Sequence, residues 1–147
     1  MSTVVPKRSR RSAADEAWAL LHKLMLGQRR RFVAIASELE LHPAQAGALA
    51  QMTPDTPMPM NELATMLHCD NSNVTGIVDR LEARGLVARQ PDEHDRRVKQ
   101  VALTALGAEA SARIRATMSS APAEFRKLPA ADQRALRDIL RRALGSA

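Results

Sequence analysis

Residues 61–107 read NELATMLHCDNSNVTGIVDRLEARGLVARQPDEHDRRVKQVALTALG, and their patterning decides the fold. Asn61–His68 is expected to form a short helix, with Leu63, Ala64 and Leu67 recurring on one face. Cys69 and Asp70 make a tight connection, and the Asp70 carboxylate suits the N-cap of a second helix over Asn71–Arg84. Within it Val74, Ile77, Val78 and Leu81 occupy i, i+3, i+4 and i+7, which is one buried stripe. Gly85 then supplies the usual C-terminal stop. Leu86–Arg89 and Val98–Leu103 read as strands, joined by the polar run Gln90–Arg97 into a hairpin longer than a tight turn. Helix, turn, helix and hairpin in this order predict a mainly α fold with a small β-hairpin wing, a winged helix-turn-helix.

Outward from this stretch the chain reads as helical. Thr104 can cap a helix from Ala105 to about Arg126, with Pro122 as a kink, and Leu128-Pro129 breaks the chain before a last helix. That helix carries Leu136, Ile139, Leu140 and Leu144 on one side. Upstream, Ala13 to about Leu41 forms a long helix with Trp18, Leu21, Met25, Phe32, Ile35 and Leu39 on a stripe that also holds polar Gln28. A helix of that length in so small a chain predicts more than one packing partner, a second subunit among them. Pro43 opens a helix that runs to about Met52, and Thr53–Pro57 is a turn. Residues 1–12 are polar and basic, and read as a flexible arm.

Composition narrows the function classes. The 147 residues contain 22 Lys and Arg against 16 Asp and Glu, a formal charge of +6. The surplus sits in residues 1–12 (four basic, no acidic) and 105–147 (eight basic, four acidic), whereas 61–104 holds six basic and seven acidic side chains. Net charge therefore does not locate a nucleic-acid site; a few well-placed arginines must. Trp18, Phe32 and Phe125 are the aromatic residues, too few for a base-stacking surface. No apolar run suits a membrane span or a signal peptide, so a cytoplasmic location and no membrane partner are expected. The single Cys69 excludes an internal disulfide and fits a reducing compartment. No nucleophile, base and orienter line up and no phosphate-loop or zinc-protease motif occurs, so the chain is read as a non-enzyme with no cofactor. His22, His42, His68, His94 and Cys69 lack metal-ligand spacing, so no metal is expected. Met52, Met58, Met60 and Met66 read as core filler.

The candidate site follows from the pattern. Once the buried stripe is removed, Asn71, Ser72, Asn73, Thr75, Gly76, Asp79 and Arg80 face outward on the second helix. Small hydrogen-bonding groups at the start of such a helix suit base edges in a major groove, and the helix terminus favours phosphate. Gly76 costs about 1 kcal/mol relative to Ala inside a helix, and is explained either by close approach of the backbone to DNA or by a lack of any contact. Arg96 and Arg97 on the hairpin tip can enter a minor groove, and Asp95 can hold the Arg97 guanidinium in a fork. The plainer alternative is a solvated helix face beside an exposed loop of weak ion pairs.

The run Asn61–Gly107 resembles the DNA-binding core of the MarR family of bacterial transcription regulators. The resemblance rests on Leu63-Ala64 and Leu67 before the turn, Asn73–Thr75 and Val78–Val87 through the recognition helix and first strand, the Asp95-Arg96-Arg97 triplet, and Leu103, Thr104 and Gly107. It extends to nearly everything after residue 12. It implies a winged helix-turn-helix with long N- and C-terminal dimerisation helices: a DNA-binding region over 43–104 and a helical dimerisation region over 13–42 and 105–147. It further implies a homodimer on a palindromic operator of double-stranded DNA, usually a repressor answering a small anionic or phenolic effector. Ser72, Asn73 and Thr75 would match the family's major-groove readers, Arg80 a phosphate or base contact, and Asp95 with Arg97 its wing pair. Gly76 departs from the pattern, since many relatives carry a larger, often basic residue there. Peroxide-sensing relatives place their cysteine near the start of the first helix, so Cys69 reads as a small buried residue rather than a thiol sensor. Trp18, His22 and Arg29–Arg31 would line an effector cleft, or, on the favoured reading, serve as dimer core and a solvated face. The competing functions are a non-specific architectural DNA-binding protein and a protein-interaction module that kept the fold.

Overall fold

The computed structural model describes residues 12–145; the arm expected over 1–12 lies outside them except for Ser12. That serine is the N-cap of α1 (Ala13–Glu38): its hydroxyl accepts from the Asp15 backbone N–H at 3.1 Å, and the Asp15 carboxylate reaches back to Ser12. α2 (Pro43–Gln51) is capped by the His42 imidazole, with Pro43 at its first position. α3 (Met60–Met66) and α4 (Asn71–Ala83) form the helix-turn-helix. β2 (Val87–Pro91) and β3 (Lys99–Leu103) pair antiparallel as the hairpin.

Three expectations need correction. Met58–Pro59 forms a short strand, β1, which pairs antiparallel with β3 so that the sheet order is β1-β3-β2. Its register, Met58 against Val101, is a contact between distant parts of the chain that no local periodicity announces. β2 runs on to Pro91, which is tolerated because β2 is the outer strand beside β3 and needs no outward ladder donor there. The helix expected over 105–126 ends early. α5 (Ala105–Ser119) stops, Pro122 caps the single turn α6 (Ala123–Arg126), and α7 (Ala130–Ala143) follows.

One core joins these elements. Leu49 from α2 and Met52 at its C-cap, Leu63 from α3, Val74, Val78 and Leu81 from α4, Val87 and Val101 from the sheet and Ile114 from α5 are sealed from solvent. Ile77, the fourth member of the expected stripe, packs at its edge. Only the second half of α1 reaches this core, through Ile35 and Ala36 with Phe32 and Leu39 against it; Trp18 stays 64% exposed. Cys69 and Met58 pack partly against the core, while Met66 is exposed. Buried Ser111 donates to the Leu49 carbonyl at 2.8 Å, and Arg115 donates to the carbonyls of Ala50 and Met52, so the end of α2 is satisfied by α5.

Arg31 is not part of a solvated face. It donates to the carbonyls of Thr117 (2.6 Å) and Ser120 (3.1 Å), to the Ser120 hydroxyl (2.8 Å) and to Gln28 (2.7 Å). This ties α1 to the end of α5 and explains a polar Gln28 on an otherwise apolar stripe.

Candidate nucleic-acid interface

The start of α4 is built by Asp70. Its carboxylate accepts from the Asn73 backbone N–H and from the Ser72 hydroxyl, both at 2.8 Å, and these two donors hold it below the usual carboxylate range. Gly85 takes the left-handed conformation, φ +71°, at the far end, which glycine adopts without penalty. Arg84 donates to the carbonyls of Glu40 and Leu39, so the same turn also closes the end of α1.

On this frame Ser72, Asn73, Thr75 and Arg80 are exposed, and Gly76 is half-buried. The Thr75 hydroxyl donates to the Asn71 carbonyl at 2.8 Å. With the Ser72 proton committed to Asp70 as well, both hydroxyls face outward chiefly as acceptors, suited to the amino groups of cytosine or adenine. Nothing lies within 4 Å of a Cβ placed on Gly76, so internal packing does not demand glycine there. A groove of about 350 Å³ runs beside the helix, lined by His42, Cys69, Ser72, Asn73, Gly76 and Arg80. A second, of about 270 Å³, has Asn61, Asn71 and Thr75 on its helix side and Val98 and Lys99 on its hairpin side. α4 and the root of the β2–β3 hairpin thus border one surface.

The wing tip is ordered by a residue that pattern reading missed. Asp92 accepts from the backbone N–H groups of Asp95 (2.9 Å) and His94 (2.7 Å) and from the Gln100 amide (2.5 Å), and the two backbone donors lower its pKa. An aspartate opening a polar loop is the available signal, since its side chain mimics a turn. Arg97 at the tip is 95% exposed, and Arg96 beside it is exposed too. The expected fork between Asp95 and Arg97 does not form. One Asp95 oxygen accepts from the Arg97 backbone N–H at 3.0 Å and meets only the guanidinium Nε, at 3.5 Å. Asp95 therefore shapes the backbone at Arg97 and leaves the planar end of the guanidinium open.

The role of Arg89 lay beyond the pattern, and Gly107, one of the residues that carry the resemblance, acquires its physical reason only in the structure. Arg89, on β2, donates to Asp79 at 2.5 Å and to Glu82 at 2.9 Å, and its backbone N–H reaches Glu82 at 2.9 Å. Asp79, expected to be a free outward residue, is one of its partners. That backbone N–H is the main cause of a lowered Glu82 pKa. At Gly107 a Cβ would sit 1.8 Å from the Leu86 carbonyl oxygen, so only glycine lets α5 pass the start of β2. Thr104 completes the corner, donating to the Gly85 carbonyl at 2.6 Å and accepting from Gly107 at 3.1 Å. Among the described residues no three His, Cys, Asp or Glu side chains gather as a metal site, and no helix is long and apolar enough to cross a membrane.

Comparison with known proteins places this geometry. Residues 41–99 match the family model described as the MarR family. A 64-residue segment is 41% identical to the transcriptional activatory protein BadR of Rhodopseudomonas palustris, covering 44% of this chain and 37% of that protein. A 103-residue segment is 29% identical to an uncharacterised HTH-type transcriptional regulator, YfiV of Bacillus subtilis, covering 70% and 64% respectively. The chain thus spans less than two thirds of the length of either relative. The crystal structure of the YusO protein of Bacillus subtilis superposes with a TM-score of 0.73 over 93% of this chain and all of that one, at 23% identity, a likeness of fold.

Proposed function

We propose that this chain, whose residues 41–99 match the MarR family model, is a MarR-type winged helix-turn-helix protein that acts as a sequence-specific DNA-binding transcriptional regulator, a homodimer on a palindromic operator. The observation that carries this reading is the shared surface of α4 and the wing, with exposed polar groups at the helix start and a nearly free Arg97 at the hairpin tip. In this reading α4 enters a major groove and Ser72, Asn73 and Thr75 meet base edges. Gly76 lets the backbone approach, Arg80 and Arg96 meet phosphates, and Arg97 lies in the adjacent minor groove, positioned by Asp95. Two protomers would set their recognition helices about 34–36 Å apart, in successive major grooves.

A small anionic or phenolic effector would act by favouring a dimer with the wrong helix separation. Repression is the direction the family likeness suggests; the relative whose name is that of an activator makes a promoter-reporter assay necessary to fix the sign. Footprinting on the DNA flanking the coding region tests the reading and supplies the operator. Binding to that operator is then compared with binding to a random duplex at stated salt. A protected palindrome with a preference above about tenfold supports the regulator; a ratio below about tenfold supports architectural coating instead. Absence of any duplex affinity supports an interaction module.

A further inference from the structure

We infer that Arg89 is a positioning residue for DNA reading: it struts the wing against the recognition helix, so that Arg97 and the α4 side chains approach the duplex as one rigid unit. The inference rests on the regulator reading above and assigns a role to a residue that faces neither groove.

The geometry is specific. Arg89 lies on β2, the strand that leads into the tip, and its guanidinium spans Asp79 and Glu82, a residue pair on consecutive turns of α4. Its backbone N–H also donates to Glu82. The strand and the helix are thus joined by both main chain and side chain. Arg89 is only 24% exposed at its side chain, so its pairs are less screened than the open pair at the tip. Beyond Arg89 the wing has its own brace, because Asp92 holds the tip backbone and Gln100 on β3. Displacement of β2 would therefore carry Arg97 with it instead of being absorbed in the loop. Among the described residues, Asp95 is the one hydrogen-bond and ion-pair partner of Arg97, so its distance from α4 is set through β2 and the tip backbone.

A rigid unit makes a distinct prediction from a merely stabilising ion pair. Contacts made by α4 and by Arg97 should be coupled through Arg89, since each gains from the other being already in place. The probe is the duplex most enriched by the wild-type chain from a random-sequence pool, compared with an unselected duplex at the same salt. Arg89→Met is expected to lower affinity for the enriched duplex about tenfold and for the unselected one less than twofold. Arg97→Ala should cost at least threefold less in the Arg89→Met background than in the wild-type chain, and Arg89→Lys should restore part of the preference. Asp79→Asn, which keeps the side-chain shape, should reproduce the loss in weaker form if Arg89→Met is too unstable to purify. Equal losses on both duplexes, or an unchanged Arg97→Ala cost, would overturn the inference. If no duplex is enriched, the regulator reading fails, and hydrogen exchange still judges the strut. Faster exchange in Arg89→Met of both β2 and the second half of α4 supports it; unchanged exchange in either element refutes it.

Discussion

In the lobe from α2 to β3, Leu49, Val74, Leu81 and Val101 are sealed within a single-chain core, whereas α7 and its C-cap carry Leu136, Ile139, Leu140 and Leu144 and bury none of them. The first half of α1 is in the same position, with Trp18, Leu20, Met25 and Leu26 all about half exposed or more. Phe125, Leu128, Leu136 and Leu140 border an open groove of about 390 Å³ between α6 and α7. The lobe from α2 to β3 is therefore complete within one chain, while α1 and α7 present apolar stripes that a lone protomer leaves wet. Burial stabilises by about 25 cal/mol per Å², so the homodimer proposed above would use a second protomer to cover these faces, and the operator's symmetry would follow from that pairing.

The largest expected effect comes from charging the unfinished half. The pair Leu136→Asp and Leu140→Asp should convert the protomer pair into monomers in sedimentation while leaving the lobe folded, with operator affinity falling a hundredfold or more as two-site binding is lost. A dimer that survives both changes removes the contrast. In the finished half, Gly107→Ala should destabilise by about 2 kcal/mol in denaturant titration, because the new methyl group meets the Leu86 carbonyl. Arg97→Ala should weaken operator binding more than tenfold in a gel-shift at physiological salt without moving the melting temperature, since its side chain is almost free. Near-wild-type affinity counts against the wing assignment. Ser111→Ala should cost about 1 kcal/mol by removing the hydroxyl donor from the Leu49 carbonyl, which then keeps only the Met52 backbone N–H.

Acid gives the smallest effect. Asp70, Asp92 and Glu82 all titrate below their ordinary values of 3.8, 3.8 and 4.5. Each binds protons less readily when folded, so its stabilisation is full above the ordinary value and is lost as pH falls through the lower folded one. Thermal melting should thus be flat in these contributions above pH 4.5 and decline below 3.8. A melting temperature that rises there would contradict the hydrogen bonds assigned to the helix cap and the wing loop.

The legible parts of the sequence were those whose cause is local. Asp70 caps the residues that follow it, Gly85 ends the helix just before it, and the α4 stripe repeats at helical spacing. What escaped depends on residues far apart in the chain. β1 exists because Met58 meets Val101, and Arg31 is fixed by carbonyls at Thr117 and Ser120. Arg89 is fixed by two acids on the preceding helix. The Arg97 position was readable as the tip of a polar loop, but the loop's organiser, Asp92, was indistinguishable by type from its acidic neighbours.

The open space around Gly76 makes that position a writable one. A Cβ introduced there meets no neighbour within 4 Å, and replacing glycine within a helix gains about 1 kcal/mol for Ala. On the regulator reading, Gly76→Ala therefore separates the two roles of the position: it leaves folding intact or improved, and any loss of DNA affinity reports close approach of the α4 backbone to the duplex.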